Sequence, residues 1–153
     1  MSATVPEGGR SFVLSRLTTR RFALPAETVI ELVVPGSLQR FPHTSPLLLG
    51  VLVRRGQVVP VADIAQVVAG PVTQHRKFYL IATRHFGAAR EWCAIPVMGD
   101  CELISATPEA CEEGSPAYIT GAVRLGEEQV PILDLDSVLG TQDVDDSLVE
   151  ARP

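Results

Sequence analysis

Short apolar segments separated by turn-forming residues run along most of the chain. Residues 11–25, SFVLSRLTTRRFALP, predict two strands joined by a polar turn at residues 18–20. Residues 77–83 and 90–97 predict a second pair of strands around Gly87. A helical turn is expected at residues 25–27, before the chain becomes extended again. No segment has the length and period of a long amphipathic helix, so the pattern predicts a β-barrel or a β-sandwich.

Residues 47–64, LLLGVLVRRGQVVPVADI, place charged residues inside an apolar stretch. Two apolar strands flank Arg54, Arg55 and Gly56, which predicts a hairpin with glycine at the turn. Asp63 stands where an N-cap residue would begin a short helix, and the apolar residues at 64, 67 and 68 have helical spacing. The expected unit is therefore strand, turn, strand and short helix.

The same unit returns in residues 119–140, ITGAVRLGEEQVPILDLDSVLG. A shift of 71 positions brings identical residues together and matches apolar positions with apolar positions. We interpret this as a duplication and expect two similar small barrels packed side by side, because each is too small to be stable alone. The alternative is a chance similarity among valine-rich strands. The identities are Gly50 with Gly121, Val59 with Val130, Pro60 with Pro131, and Asp63 with Asp134.

Two of these matched pairs have a predicted structural role. Pro60 and Pro131 are expected at a strand edge or a bulge, where the ladder needs no backbone donor. Asp63 and Asp134 could be a carboxylate pair for acid–base chemistry, but their equivalent places in the repeat favour helix capping. The duplication therefore predicts structural rather than catalytic aspartates.

The composition indicates the class of protein and its expected surroundings. A chain of 153 residues with 46% hydrophobic and 20% charged residues is typical of one globular domain, or of two small ones sharing a core. The net charge of −5 argues against nucleic acid, because phosphate binding requires a basic surface. Since no apolar run reaches the ~18 residues that span a bilayer, and the N-terminus lacks signal-peptide order, we expect a cytoplasmic protein without direct membrane insertion. We expect a domain at residues 10–140 between a flexible tail at 1–9 and an acidic tail at 141–153.

Residue types that carry catalysis or bind metals are sparse and scattered. The three cysteines form no CxxC pair; a disulfide between Cys101 and Cys111 is conceivable, but free thiols are favoured in a cytosolic protein. The three histidines lack the short paired spacing of a zinc site. The chain contains no glycine-rich phosphate loop and no nucleophile elbow. We therefore expect no catalytic residue, no metal and no cofactor, so the protein should not be an enzyme.

The first copy of the repeat and its neighbouring segments resemble a known family. Residues 50–64, GVLVRRGQVVPVADI, resemble the G-V-x-N-L-R-G-x-x-x-P-x-x-D-L signature of the CheW-like family, the adaptor domains of bacterial chemotaxis arrays. Residues 20–33, RRFALPAETVIELV, are similar to the family's F-x-I-x-x-x-x-V-x-E-V segment, and residues 118–139 to its closing part. The resemblance covers roughly residues 10–140. It implies a mainly β fold of two intertwined, SH3-like, five-stranded barrels with short helices.

The resemblance also implies a function and the residues that carry it. Such domains are non-catalytic and bind the regulatory domain of a CheA-type histidine kinase, and the cytoplasmic tip of a chemoreceptor in the groove between the barrels. Arg55 matches the signature arginine that supports these contacts. Val29, Glu31 and Ala26 match positions on the receptor-facing strand. Exposed apolar strand surface near Val29 is expected to contribute to docking.

Other positions of the signature have structural roles or depart from the family pattern. Gly50 and Gly56 resemble backbone requirements, for a close approach and for the turn respectively. Val53 and Arg54 replace the usual asparagine and leucine, and Met98 replaces a frequent aspartate, so a specialised subtype is expected. Arg54 is interpreted as a solubilising charge. The alternative function is a stand-alone β-barrel that binds a peptide or a small molecule without a chemotaxis role.

Overall fold

A computed structural model of the chain describes residues 9–34, 38–40, 47–68, 78–99 and 101–139. Apart from Gly9, the expected tails at 1–9 and 141–153 lie outside the described residues. The described ranges form ten strands, a 3₁₀ turn at Ala26–Thr28, helix α1 at Ala65–Val68 and helix α2 at residues 135–139. The strands are β1 (Arg10–Arg16), β2 (Arg21–Pro25), β3 (Val29–Val33), β4 (Leu48–Arg54), β5 (Gln57–Ala62), β6 (Phe78–Phe86), β7 (Ala89–Val97), β8 (Glu102–Ala106), β9 (Ile119–Leu125) and β10 (Glu128–Leu133).

The strands form two five-stranded sheets that exchange strands between the two halves of the chain. The first sheet has the order β8-β1-β2-β10-β9, and the second has the order β3-β6-β7-β5-β4. Each sheet therefore takes a hairpin from one half and three strands from the other. The exchange is made by parallel contacts, Ile132 with Ala23 in the first sheet and Val61 with Ala94 in the second. This confirms the expected intertwined pair of five-stranded barrels.

Three hydrophobic clusters explain why each sheet curls and why the two sheets stay together. One cluster draws only on strands of the first sheet, and another only on strands of the second, so each sheet encloses its own core. The third and largest lies between the sheets and includes residues of both, together with side chains of α1 and α2. Burial of apolar surface is the main stabilising contribution to folding. The central cluster, whose members include Phe22, Leu80, Ile95 and Leu133, therefore joins the barrels into one unit.

The duplication seen in the sequence extends to backbone hydrogen bonds. Adding 71 to the bounds of β4 and β5 reproduces the bounds of β9 and β10. The N–H of Asp63 donates to the carbonyl of Leu47, and that of Asp134 donates to the carbonyl of Tyr118, both at 2.8 Å. These partners are again 71 residues apart, so the predicted duplicated unit is confirmed.

The two prolines do not lie on edge strands, but the expectation that their ladder positions need no backbone donor is met. Pro60 and Pro131 lie within β5 and β10, which are interior strands of their sheets. The residues opposite the prolines are Val51 and Ala122. Each of these directs its backbone N–H and C=O away from the proline. The two groups of Val51 bond to Gln39 and those of Ala122 bond to Glu109, at 2.8–2.9 Å. Because these ladder positions require no N–H from the facing residue, proline is accommodated in an interior strand.

Candidate functional site

The hairpin between β4 and β5 has a turn in which a non-glycine residue adopts a left-handed conformation. Arg55 has φ 53° and Gly56 has φ 74°, as in the type I′ turns that favour the twist of paired strands. Arg55 is the one non-glycine residue with positive φ among the residues that the structure describes. The left-handed region costs an ordinary residue roughly 1–2 kcal/mol. The residue equivalent to Arg55 in the second hairpin is Gly126, with φ 62°, so the first copy carries a cation where the second avoids this cost.

Two arginines of this hairpin contact one carboxylate on the opposite edge of the second sheet. Arg54 donates through Nε and Nη2 to the two carboxylate oxygens of Glu31 at 2.9 and 3.0 Å. The Nη2 atom of Arg55 lies farther away, at 3.4 Å from Glu31 Oε2. Since Glu31 is on β3 and Arg54 is on β4, the ion pair joins the two edge strands and helps to close the barrel. The prediction that Arg54 is only a solubilising charge is therefore wrong.

The electrostatics of this group leave positive charge at the surface. The hydrogen bond from Arg54 lowers the pKa of Glu31; desolvation opposes this, and the charges of Arg54 and Arg55 add to the lowering. The same hydrogen bond raises the pKa of Arg54. The Glu31 side chain is 18% exposed, whereas those of Arg54 and Arg55 are 41% and 63% exposed. One carboxylate thus faces two guanidinium groups, and the more exposed Arg55 supplies the excess cation.

The remaining residues predicted for partner binding lie at the start of β3, the strand that carries Glu31, and in the turn before it. Ala26 begins the 3₁₀ turn and is partly buried. Val29, the first residue of β3, is also partly buried and packs against the central cluster. The exposed apolar side chain nearest to it in the chain is Ile30. Apolar surface near Val29 therefore exists, but Ile30 presents it.

The second copy of the repeat cannot form the same group. Glu102 occupies the position equivalent to Glu31, but Leu125 and Gly126 stand where Arg54 and Arg55 are found. Leu125 instead packs against the core of the first barrel. The carboxylate with two arginines is consequently a feature of the β3 and β4–β5 edge of the second barrel.

The residues assigned to structural roles occupy distinct backbone sites. A Cβ atom added to Gly50 would lie 2.5 Å from the carbonyl oxygen of Gln39, and one added to Gly121 would lie 2.7 Å from that of Glu109. The two glycines therefore permit a close approach of a neighbouring segment.

Asp134 accepts a hydrogen bond from the N–H of Asp136 through Oδ1 at 3.2 Å, which is N-cap geometry at the start of α2.

Asp63, the counterpart of Asp134, is buried before α1 and contacts a side chain of that helix. Gln66 Nε2 donates to Asp63 Oδ2 at 3.4 Å, and the Gln66 N–H donates to the backbone carbonyl of Asp63 at 3.1 Å. No side-chain oxygen or nitrogen buried in the described part of the chain lacks a hydrogen-bond partner. Asp63 is thus held in a satisfied, structural setting.

The described residues contain no cluster of three or more histidine, cysteine, aspartate or glutamate side chains able to hold a metal ion. Cys93, Cys101 and Cys111 are free thiols. Burial raises the pKa of Cys93 to about 12, so this thiol is protonated at neutral pH. No helix in these ranges has the length and apolar character to cross a membrane.

Comparison with known proteins gives consistent results. A family model described as "CheW-like domain" matches residues 11–141. The protein named "Chemotaxis protein CheW" from Klebsiella aerogenes is 21% identical over an alignment 141 residues long, which covers 89% of this chain and 85% of that protein. The crystal structure of the scaffolding protein TtCheW from Thermoanaerobacter tengcongensis superposes with a TM-score of 0.73 at 17% identity, covering 90% of this chain and 89% of that one.

Proposed function

The chain belongs to the CheW-like domain family, and we propose that it is a cytoplasmic, non-catalytic adaptor that couples chemoreceptors to a CheA-type histidine kinase. The family match spans most of the chain, and the similar proteins are named for chemotaxis and for scaffolding. An adaptor requires surfaces for two partners and no reaction centre. The group formed by Glu31, Arg54 and Arg55 at a barrel edge fits this requirement, because it offers exposed positive charge to a partner.

The observation that carries the proposal is the exposed guanidinium of Arg55. It is held by a backbone conformation that disfavours arginine, next to a carboxylate that Arg54 already neutralises. A guanidinium pairs bidentately with carboxylates and is common among residues that dominate interface energetics. We assign Arg55 to contact with the partners, and Glu31 with Arg54 to holding this edge in place.

The receptor would dock along β3 and the turn before it. Ala26, Val29 and Glu31 match the receptor-facing positions of the family, and Ile30 offers exposed apolar surface between them. A helical receptor tip buries apolar side chains when it lies in a groove. In this arrangement Ile30 contributes apolar area, while Val29 supports the strand from inside.

A cavity for a small molecule receives less support. Two cavities lined by described residues have volumes of ≈ 160 and ≈ 290 Å³. Pockets for drug-sized ligands are usually about 300–1,000 Å³. Among the described residues, these two volumes lie at or below the lower end of that range.

The test measures binding of the purified protein to two fluorescently labelled partners from the same organism. One is the regulatory domain of its histidine kinase, and the other is a cytoplasmic receptor fragment. Arg55→Glu should weaken binding to at least one of them by roughly tenfold, because a charge pair at the interface becomes a repulsion.

Arg90→Glu is the matched control, since it makes the same charge change at an exposed position of β7. Thermal unfolding of Arg90→Glu should stay close to the wild type, because surface substitutions away from strained backbone sites and ion pairs usually change stability by no more than ~0.5 kcal/mol. Circular dichroism checks that Arg55→Glu, which loses its contact with Glu31, remains folded. Equal binding by wild type and Arg55→Glu would remove Arg55 from the site. Failure of the wild-type protein to bind either partner would refute the adaptor function.

A further inference from the structure

The end of β6 is bound to α2 through a single carboxylate. The backbone N–H of His85 donates to Asp136 Oδ1 at 2.7 Å, and the imidazole Nδ1 lies 2.9 Å from Asp136 Oδ2. Desolvation disfavours the charged form of this group, but the hydrogen bonds from His85 and the charges of His85 and Arg84 outweigh it and lower the pKa of Asp136. Asp136 is therefore ionised at neutral pH, and both of its oxygens contact one residue.

This contact joins elements that belong to different sheets. His85 is on β6 of the second sheet, whereas α2 follows β10 of the first sheet. Strand β6 continues to Phe86, beyond the end of its pairing with β3 at Ala82 and Val29. The N–H of His85 thus lies past the region that β3 covers, and Asp136 serves as its acceptor from the other half of the molecule.

The first copy of the repeat lacks this carboxylate. A shift of 71 positions places Asp136 on Ala65, which begins α1 and is fully buried in the central cluster. Helix α1 is therefore held by apolar burial, whereas α2 combines apolar burial with charge-assisted hydrogen bonds. Because the short helix forms in both copies, the fold does not require aspartate at this position.

The contact is part of a series of interactions around a cavity between the barrels. Two residues before His85, the Thr83 hydroxyl donates to the carbonyl of Thr28 at 3.4 Å. Thr28, in the 3₁₀ turn, lines a cavity of ≈ 290 Å³ together with Asp134 and Leu135 at the start of α2. The turn and α2 thus face each other across the cavity, and β6 connects them.

Directed hydrogen bonds at this place constrain the separation of the turn from α2. Apolar contacts are non-directional, so the central cluster sets this separation less strictly than a carboxylate with two fixed partners. Ala26 lies in the turn and Val29 follows it, and both are assigned to receptor docking. The position of these two residues relative to α2 therefore depends on the contact of His85 with Asp136.

We propose that His85 and Asp136 are positioning residues for the receptor site, and that their contact holds the 3₁₀ turn and the start of β3 at a fixed separation from α2. The assignment to the receptor rests on the proposed function. A surface that is already ordered binds more tightly, because less conformational freedom is lost on association. In this role neither side chain touches the receptor.

The first experiment uses the free protein and needs no partner. Asp136→Ala removes the carboxylate and gives α2 the residue that α1 carries at this position. The amide of His85 should exchange with solvent roughly tenfold faster, and the NMR signals of Thr28 and Val29 should shift. Glu113→Ala, which removes an exposed carboxylate elsewhere, is the matched control and should leave these signals in place. Unchanged signals in Asp136→Ala would overturn the proposal.

The second experiment measures binding to the labelled receptor fragment and to the kinase regulatory domain. Asp136→Ala should weaken receptor binding by roughly three- to tenfold and leave kinase binding unchanged. His85→Ala keeps the backbone donor and should have a smaller effect. Adding His85→Ala to Asp136→Ala should cause no further loss, because the two residues act only through each other. Additive losses would mean that each side chain contacts the receptor itself, and would refute the positioning role.

Asp136→Asn keeps the test valid if the alanine variant does not fold. Its amide oxygen still accepts from the His85 N–H, so receptor binding should lie between that of the wild type and that of the alanine variant. Circular dichroism reports whether each variant is folded. Tighter receptor binding by a folded variant, or an equal loss of kinase binding, would contradict the proposal. If the wild type does not bind the receptor, the proposed function and the receptor role both fail, whereas the NMR result on the contact between the barrels still stands.

Discussion

The close approach of a loop carbonyl to Gly50 and Gly121 makes a quantitative prediction about stability. Each glycine lies beneath a backbone oxygen, of Gln39 and Glu109 respectively, at a separation that leaves no room for a methyl group. At each site the loop residue also forms a pair of backbone hydrogen bonds to the residue after the glycine, 2.8–2.9 Å long. Substitution by alanine should push the carbonyl away and break this bridge.

Three alanine variants separate the close contact from the backbone conformation. Gly56 has φ 74° but nothing within 4 Å of an added Cβ, so Gly56→Ala reports the conformational cost alone, about 1 kcal/mol. At Gly121 an added Cβ meets the Glu109 oxygen at 2.7 Å without a positive φ. Displacing Glu109 would give up two hydrogen bonds of about 1 kcal/mol each, so Gly121→Ala should cost about 2 kcal/mol.

Gly50→Ala combines both costs and should be the most destabilising of the three. Its φ is 156°, and the added Cβ would lie 2.5 Å from the Gln39 oxygen. Loss of the bridge and an unfavourable backbone conformation together suggest about 3–4 kcal/mol. For a chain of this size, each 1 kcal/mol lowers the midpoint of thermal unfolding by roughly 2–4 °C.

The assay is urea and thermal unfolding of the four proteins, followed by circular dichroism. The expected order of stability is wild type, Gly56→Ala, Gly121→Ala and Gly50→Ala. If Gly121→Ala lost no more stability than Gly56→Ala, the close approach of the Glu109 carbonyl would not contribute to stability, and the prediction would be refuted. Unchanged denaturant slopes would show that the unfolded states are comparable.

Further predictions concern charge, backbone and thiol reactivity. Arg54→Leu should raise the pKa of Glu31 toward its ordinary value in an NMR titration, because the Arg54 hydrogen bond is the largest influence that lowers it. A carboxyl group with a lowered pKa stabilises the fold at pH values above about 4.3, and this stabilisation is lost as the pH falls through the lowered pKa. Acid unfolding should therefore depend less on pH in the Arg54→Leu variant. An acid-unfolding profile identical to that of the wild type would contradict the pairing of Arg54 with Glu31. Arg55→Asn should raise the melting temperature by roughly 2 °C, since asparagine tolerates positive φ better; a decrease would mean that the Arg55 contact to Glu31 outweighs the backbone cost. In native protein at pH 8, a thiol reagent should modify exposed Cys111 quickly and buried Cys93 only after unfolding, and rapid loss of both thiols would contradict the burial of Cys93.

The strands of the repeat could be predicted from sequence because glycine, proline and aspartate fix local geometry. Gly56 and Asp63 marked the turn and the end of the second strand within one residue of their observed places. The exchange of strands followed from the family resemblance and not from the pattern. Val61 and Ile132 occupy equivalent positions in the two copies of the repeat. Hydrophobic periodicity alone therefore does not determine that β2 pairs with the strand of Ile132, which is the more distant in sequence.

The ion pair at the barrel edge was beyond sequence reasoning for a similar cause. Glu31 and Arg54 come together because the two edge strands of a curled sheet meet, which depends on the register of all five strands. The exposure of Val53 and Val58, in contrast, could be predicted from the sequence. Val53 and Val58 alternate with core residues, so their outward direction was predictable once the hairpin was recognised.

The exchange of strands between halves also sets the order in which the protein can fold during synthesis. The β1–β2 hairpin emerges first, but its parallel neighbour at Ile132 is made after most of the chain. At about 5–20 residues per second, the ribosome needs on the order of ten seconds to add the residues between Ala23 and Ile132. During that interval Phe22 and Leu24, which later belong to the central cluster, have no completed sheet to cover them. The first hairpin can therefore join its sheet only after β10 has been made, so its folding is completed late in synthesis.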